Sequence, residues 1–190
     1  MFSDKVKQYF TDIIDVPSPS GYESRCQKIF QTYALQFVDE VYEDNFGNIV
    51  AHKKNEGKPK LMLSAHIDEI GFVVKHIDDN GFVYILPIGG VDVMLLPGMR
   101  LAIHHKDNSF LGVVGRKPIH LLNEVERNKI TFEDLWVDCG FTNKDHALLS
   151  ISIGDPITFV SNPIEMSDDF LTTRSADNKV GNAILMELLN

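Results

Sequence analysis

An α/β fold interrupted by a small β-barrel is what the sequence predicts, and three observations carry that expectation. Two helical patterns precede any strand, the texture changes at Gly71 to short strands punctuated by turns, and helical spacing returns beyond Ser167. Residues 1–69 are therefore expected to form the first part of an α/β domain, 70–165 an inserted β-barrel, and 166–190 the continuation of the α/β domain.

Each element follows from a local pattern. Val6, Tyr9, Phe10, Ile13 and Ile14 share one helical face between Asp4 and Ile14, and Pro17 and Pro19 end that helix. Ser20 with Glu23 three positions later has the form of a capping box, opening a second helix that turns Cys26, Ile29, Phe30, Tyr33 and Phe37 inward. Val38–Tyr42 and Asn48–His52 flank a turn at Asp44–Gly47. After the polar loop Asn55–Pro59, the apolar run Lys60–Ala65 reads as a strand. Barrel strands are expected at Phe72–Ile77, Phe82–Leu86, Arg100–His104 and Phe110–Val114, separated by the turns Asp78–Gly81 and Lys106–Ser109. Lys144–Leu149 reads as a short helix and Pro156–Val160 as a last barrel strand. The final helix is expected to bury Val180, Ile184, Leu185 and Leu188, and without a Gly or Pro stop before Asn190 its domain is expected to continue.

Composition narrows the function. With 44% hydrophobic and 24% charged residues, the 190-residue chain has enough apolar side chain for a packed core. A net charge of −9 with no run of Lys or Arg argues against nucleic acid as a partner. No stretch of about 20 apolar residues and no signal-peptide core occur, so no membrane partner is expected. Two distant cysteines, Cys26 and Cys139, read as free thiols in a reducing cytoplasm. G-x-S-x-G, the phosphate-binding G-x-x-x-x-G-K-[ST] loop and C-x-x-C are all missing, which lowers the standing of serine hydrolysis, nucleotide binding and dithiol redox chemistry.

Two short motifs could carry chemistry. His66 and Asp68 stand two apart just past the apolar run, so period two sends both side chains to one side at a strand's carboxyl end. An imidazole there can ligate Zn²⁺ or Co²⁺ while the carboxylate fixes its tautomer, although His-x-Asp taken alone more often marks a satisfied strand-end histidine. Asp177, in Arg174–Gly181 before the last helix, reads either as a helix N-cap or as a carboxylate whose two oxygens bridge two metal ions. His76, His104, His105 and His146 are given no role, with His104 and His105 expected to divide between core and surface. Trp136 reads as core and Glu124–Arg127 as a solvated helical turn.

Seven blocks in order resemble a known family: Ser18–Glu23, Asp44–Asn48, Ala65–Gly71, Gly115–Leu122, Asp134–Gly140, Gly154–Pro156 and Ala176–Gly181. The chain resembles the M42 metalloaminopeptidases, which include glutamyl and deblocking aminopeptidases and the tetrahedral TET particles and carry an old label as cellulase M. That resemblance implies a metallopeptidase-type α/β catalytic domain holding two divalent metal ions, zinc or cobalt, with an inserted β-barrel that mediates assembly into dimers and dodecamers. It implies His66 as a metal ligand, Asp177 as the ligand bridging both ions, and Asp68 as the catalytic-site residue that orients His66. The implied substrate is the free N-terminal residue of a peptide.

Two departures from the family accompany the resemblance. Lys179 stands where the family normally carries Arg, which removes a bidentate donor. The family's Glu-Glu pair, a later ligand Asp and a final ligand His have no counterpart in these residues, so the 190-residue chain by itself is expected to be inactive. The rival readings are a non-catalytic assembly module and, from the cellulase label, a glycoside hydrolase.

Overall fold

A computed structural model describes residues 2–190 apart from 55, 58, 125, 126, 128, 161, 162, 168 and 169. It divides into two compact units, Met1–Glu69 with Asn162–Asn190, and Ile70–Ser161. The chain returns to the first unit at 162, a few residues before the expected 166, because the strand Ile164–Ser167 pairs within that unit.

The first unit is built on three helices: α1 (Asp4–Asp15), α2 (Ser24–Ala34) and a late helix described below. The spacing of Val6, Tyr9 and Ile13 puts them on one stripe of α1, and all three are fully buried against Cys26, Phe30 and Ala34 of α2. The capping box expected from Ser20 and Glu23 does not form. The N-cap of α2 is Glu23 without a side-chain bond to the helix; its carboxylate accepts from the Gly21 N–H at 2.8 Å, and the Ser20 hydroxyl is engaged elsewhere. The helix ends at Ala34, so Phe37 reaches the core edge from beyond it.

A hairpin follows, β1 (Glu40–Glu43) antiparallel to β2 (Ile49–His52). Its five-residue connection is held by Asp44, whose carboxylate accepts from the backbone N–H of Phe46 at 2.8 Å and of Asn48 at 2.9 Å, and from the Asn48 side chain at 2.9 Å. Those bonds, the Asn48 side chain first, hold the Asp44 carboxyl below the usual carboxylate range. Gly47 closes the turn with φ of 84°, a left-handed conformation that glycine adopts without strain.

Beyond this hairpin two expected elements fail as read. The apolar run 60–65 is not a strand: among the described residues nothing pairs with it, and Leu61, Met62 and Leu63 are exposed. A strand exists only through its ladder of hydrogen bonds, so apolar composition alone does not make one.

The second unit begins at β3 (Gly71–Ile77) and closes a six-stranded antiparallel barrel with β4 (Val83–Ile88), β5 (Arg100–His105), β6 (Asn108–Arg116), β7 (Leu135–Asp138) and β8 (Pro156–Phe159), in the order β3-β4-β7-β6-β5-β8. The short helix α3 (Lys144–Leu148) contributes Ala147 to its core. A bulge between Val74 and His76 explains the burial pattern of β3. It admits one extra residue on the outside, so Lys75 and His76 are exposed while Val74 and Ile77 both point inward. Strict alternation governs β7, where Leu135 and Val137 are fully buried and Trp136 lies on the outer side. Trp136 is therefore half-buried rather than core, packed at a tilt against Phe82 with centroids 5.7 Å apart. Its indole covers Gly115, where a Cβ would stand 2.5 Å from Nε1.

His104 and His105 do not divide between core and surface. Both are half-buried and bonded: His104 to the Ser109 and Thr158 hydroxyls at 2.9 and 2.8 Å, His105 Nδ1 to Asp155 at 2.9 Å. Val91 and Val93 pack on the barrel core and Leu96 is buried, which leaves Met94 and Leu95 as the exposed members of that apolar cluster. Val125 and Glu126 of the expected turn at 124–127 lie outside the described residues.

The chain then returns to the first unit through the hairpin β9 (Ile164–Ser167) and β10 (Phe170–Thr172) and ends in α4 (Ala176–Leu189). This helix is the second failed expectation. It buries Lys179, Asn182, Ala183 and Met186, while Val180, Ile184 and Leu188 of the expected inner face are exposed. A buried ammonium and amide require partners, so the face that can reach acceptors becomes the inner one.

Both cysteines are free, Cys26 buried and Cys139 half-buried. Burial pushes the Cys26 thiol up, and burial with the neighbouring Asp138 charge pushes Cys139 up to about 11. No helix among the described residues is long and apolar enough to cross a membrane.

Two outcomes follow for variants. A Cβ at Gly112 would lie 2.5 Å from Val137 Cγ1, 2.6 Å from Cys139 Sγ and 3.0 Å from the Asp138 carbonyl oxygen, whereas Gly90 has open space. Gly112→Ala is expected to lower stability by about 1–3 kcal/mol in denaturant titrations, with Gly90→Ala near neutral. Asn48→Ala is expected to let the Asp44 pKa rise toward its ordinary value. Because a depressed carboxyl pKa stabilises the fold above the unfolded value of about 3.9, the loss should be full at neutral pH and should shrink below about pH 4 in thermal melts.

Candidate functional site

The residues singled out by sequence, His66, Asp68 and Asp177, meet in the first unit. His66 Nδ1 is 2.9 Å from Asp68 Oδ1, and His66 Nε2 is 3.1 Å from Asp177 Oδ1. The second Asp68 oxygen accepts the Ser20 hydroxyl, which explains why Ser20 does not cap α2. Burial pushes the Asp68 carboxyl up, but the Ser20 hydroxyl and the His66 ring outweigh it and leave the carboxyl below its ordinary value. Asp177 is not a helix N-cap. That position is Ser175, with φ of 57°, and Asp177 lies in an irregular first turn with φ of −87° and ψ of 105°. Its side chain is 95% exposed and that of His66 54%, so the donor atoms are open to solvent.

Beneath this exposed layer lies a buried ionic cluster that spacing rules do not report. Glu69 Oε2 accepts from Arg174 Nε at 3.0 Å, while Glu69 Oε1 accepts from the Ser18 N–H at 2.8 Å and stands 3.7 Å from Lys179 Nζ. Lys179 Nζ also donates to the carbonyls of Ile13 at 2.7 Å and Val16 at 3.1 Å. Burial depresses the Lys179 pKa, and the Glu69 carboxylate opposes that shift. Lys179 is thus an ammonium with three oxygen neighbours. Asn182 completes the arrangement, its amide donating to the His66 carbonyl at 2.7 Å and to the Asn178 carbonyl at 3.2 Å. Glu69, Arg174 and Asn182 escaped the sequence reading. The available signal was weak, a charge placed directly before the apolar run from Ile70 and opposite charges on both sides of Asp177.

The His66–Asp177 spacing fits metal binding. Bonds of about 2.0–2.2 Å to a common tetrahedral Zn²⁺ would place two ligand atoms about 3.3–3.6 Å apart, a few tenths of an ångström beyond the 3.1 Å contact. Asp68 accepting the Nδ1 proton would leave the Nε2 lone pair directed at the Asp177 side. Among the described residues, no group of three or more His, Cys, Asp or Glu side chains is arranged to hold an ion.

Comparison with known proteins gives a consistent result. The model of the M42 glutamyl aminopeptidase family matches residues 47–190. A lysyl aminopeptidase of Pyrococcus furiosus is 34% identical over 172 residues, which cover 88% of this chain and 49% of that protein. The crystal structure of a TET aminopeptidase from a marine-sediment thaumarchaeon superposes with a TM-score of 0.91 at 28% identity, covering 98% of this chain and 53% of that one. An endoglucanase of Thermotoga maritima superposes with a TM-score of 0.81 at 34% identity, covering 95% and 53%. The chain spans about half the length of the curated relatives it matches, with 51% and 49% of two of them covered.

Proposed function

Because the chain belongs to the M42 glutamyl aminopeptidase family, we propose that it forms the N-terminal part of a metal-dependent aminopeptidase that removes N-terminal residues from peptides through two divalent ions, zinc or cobalt. The observation that carries this reading is the approach of His66 Nε2 to Asp177 Oδ1 at 3.1 Å, across more than a hundred positions of sequence. In the proposed site His66 is a ligand to one ion, Asp177 bridges both through its two oxygens, and Asp68 orients His66 by accepting its Nδ1 proton. The ions, when bound, supply a Lewis acid for the scissile carbonyl and lower the pKa of a bound water. The two free thiols suit a reducing cytoplasm.

Endoglucanase chemistry is the less supported alternative. Glycoside hydrolysis needs two carboxylates flanking a sugar bond, roughly 5 to 9.5 Å apart with room for substrate or water between them. Here an imidazole fills the space between Asp68 and Asp177, which suits metal ligation.

Two protein ligands leave a bound ion most of its waters, so the 190 residues are expected to bind zinc weakly and to hydrolyse no leucine or glutamate anilide. A chain extended through the segment that the relatives carry beyond this match is expected to do both. His66→Ala should lower calorimetric zinc affinity by more than the roughly 10- to 100-fold typical of an outer-shell change and abolish anilide turnover in the extended chain. Turnover by the 190-residue form, or release of reducing sugar from a glucan, would sink this assignment.

We also propose that the barrel self-associates. Met94 and Leu95 are 70% and 71% exposed in a turn of 3₁₀-helix, and Leu111 and Val113 add an apolar stripe on the outside of β6. Sedimentation at tens of micromolar is expected to show a dimer or larger species, and Met94→Glu with Leu95→Glu a monomer. A parent chain that sediments as a monomer would count against this interface.

A further inference from the structure

We propose that Glu69, Arg174 and Lys179 are positioning residues: a buried three-charge clamp that sets the distance between the His66–Asp68 arm and Asp177. Resting on the metal-site reading above, the proposal adds residues that would act on the site without touching the ion or the substrate.

The placement in sequence is the first support. Glu69 directly follows Asp68, while Arg174 stands three residues before Asp177 and Lys179 two after it. Each oxygen of one carboxylate therefore holds one side of the Asp177 turn: Oε2 the Arg174 guanidinium at 3.0 Å, Oε1 the Lys179 ammonium at 3.7 Å. Depth is the second. The side chains of Glu69 and Lys179 are 3% and 0% exposed, whereas His66 and Asp177 are 54% and 95% exposed. An ion pair as exposed as His66–Asp177 contributes little and cannot hold its own geometry. Buried charges cannot separate without leaving one of them unpaired, so they can.

The clamp extends to a third segment. Lys179 donates to the carbonyls of Ile13 and Val16, Arg174 Nη2 to that of Asp15 at 3.4 Å, and Glu69 accepts the Ser18 N–H. The Ser18 hydroxyl donates to the Ile67 carbonyl at 3.1 Å. Residues 13–18 are thereby tied to the same carboxylate, and they deliver Ser20 to Asp68. A change at Glu69 would loosen both neighbours of the His66 ring together.

A metal-free readout separates positioning from plain stabilisation. In long-range ¹H–¹⁵N spectra of the imidazoles of the 190-residue chain, Asp177→Asn is expected to move both ring nitrogen resonances of His66. In a Glu69→Gln background, held below its melting transition as judged by circular dichroism, the same change is expected to leave those resonances in place. Arg174→Lys is the second background: it keeps the charge, loses the planar fork and should also abolish the displacement, and it decides alone if Glu69→Gln fails to fold. A lowered melting temperature with the displacement intact in a folded background would reduce the clamp to a stabilising ion cluster and overturn the proposal. No displacement in the parent chain would instead refute the His66–Asp177 site, and the clamp would fall with it.

Discussion

A single carboxylate with almost no exposure, Glu69, is the constraint on which the first unit depends. A buried ion without partners costs several kcal/mol, and breaking a buried pair typically costs 3–5 kcal/mol. Glu69 meets that requirement with the Arg174 guanidinium, the Lys179 ammonium and the Ser18 N–H, which belong to two stretches of chain distant from each other and from Glu69. The same requirement determines how α4 turns. Lys179 can be buried only where Ile13, Val16 and Glu69 offer oxygens, and Asn182 only where it reaches the carbonyl of His66. Ala183 and Met186 are carried inward by that choice, and Val180, Ile184 and Leu188 are left outside.

The two units satisfy their backbones differently. The barrel closes on itself, so no strand of the six is left with an open edge, and its interior is filled by alternating inward residues corrected once by the bulge in β3. Its glycines serve the same packing, Gly112 where the neighbouring strand approaches closely and Gly115 beneath the Trp136 ring. The first unit instead leaves the apolar run 61–63, the outer stripe of α4 and the β9–β10 hairpin exposed.

The candidate chemistry lies in the first unit, in a two-layer arrangement. The outer layer offers an imidazole between two carboxylates, whose donor atoms are open to solvent at a spacing suited to one metal ion. The inner layer is ionic and largely buried, with Arg174 at its edge, which suits it to holding geometry rather than to reacting. Such a division between ligands and the groups that orient them is general in metal sites.

Much of what depends on local periodicity was legible in the sequence, though not along α4 or the run 60–65. The apolar spacing along α1 and the turn residues between barrel strands each describe groups a few positions apart, where backbone geometry alone fixes the side, whereas His66 and Asp68 meet although the strand expected to carry them does not form. Asp177 stood out as a candidate carboxylate from its own motif, but only the resemblance to the family joined it to His66, because no spacing connects the two. Tertiary structure alone decided that Ser20 serves Asp68 and not α2, that the run 60–65 makes no strand, that Trp136 sits outside the barrel, and that α4 buries its polar edge. For Ser20, the run 60–65 and α4 the outcome turns on a hydrogen-bond partner distant in sequence, present or missing, and for Trp136 on which face of β7 meets the barrel core. The free energy of a buried polar group depends on that partner, and a hydrophobic pattern carries no record of it.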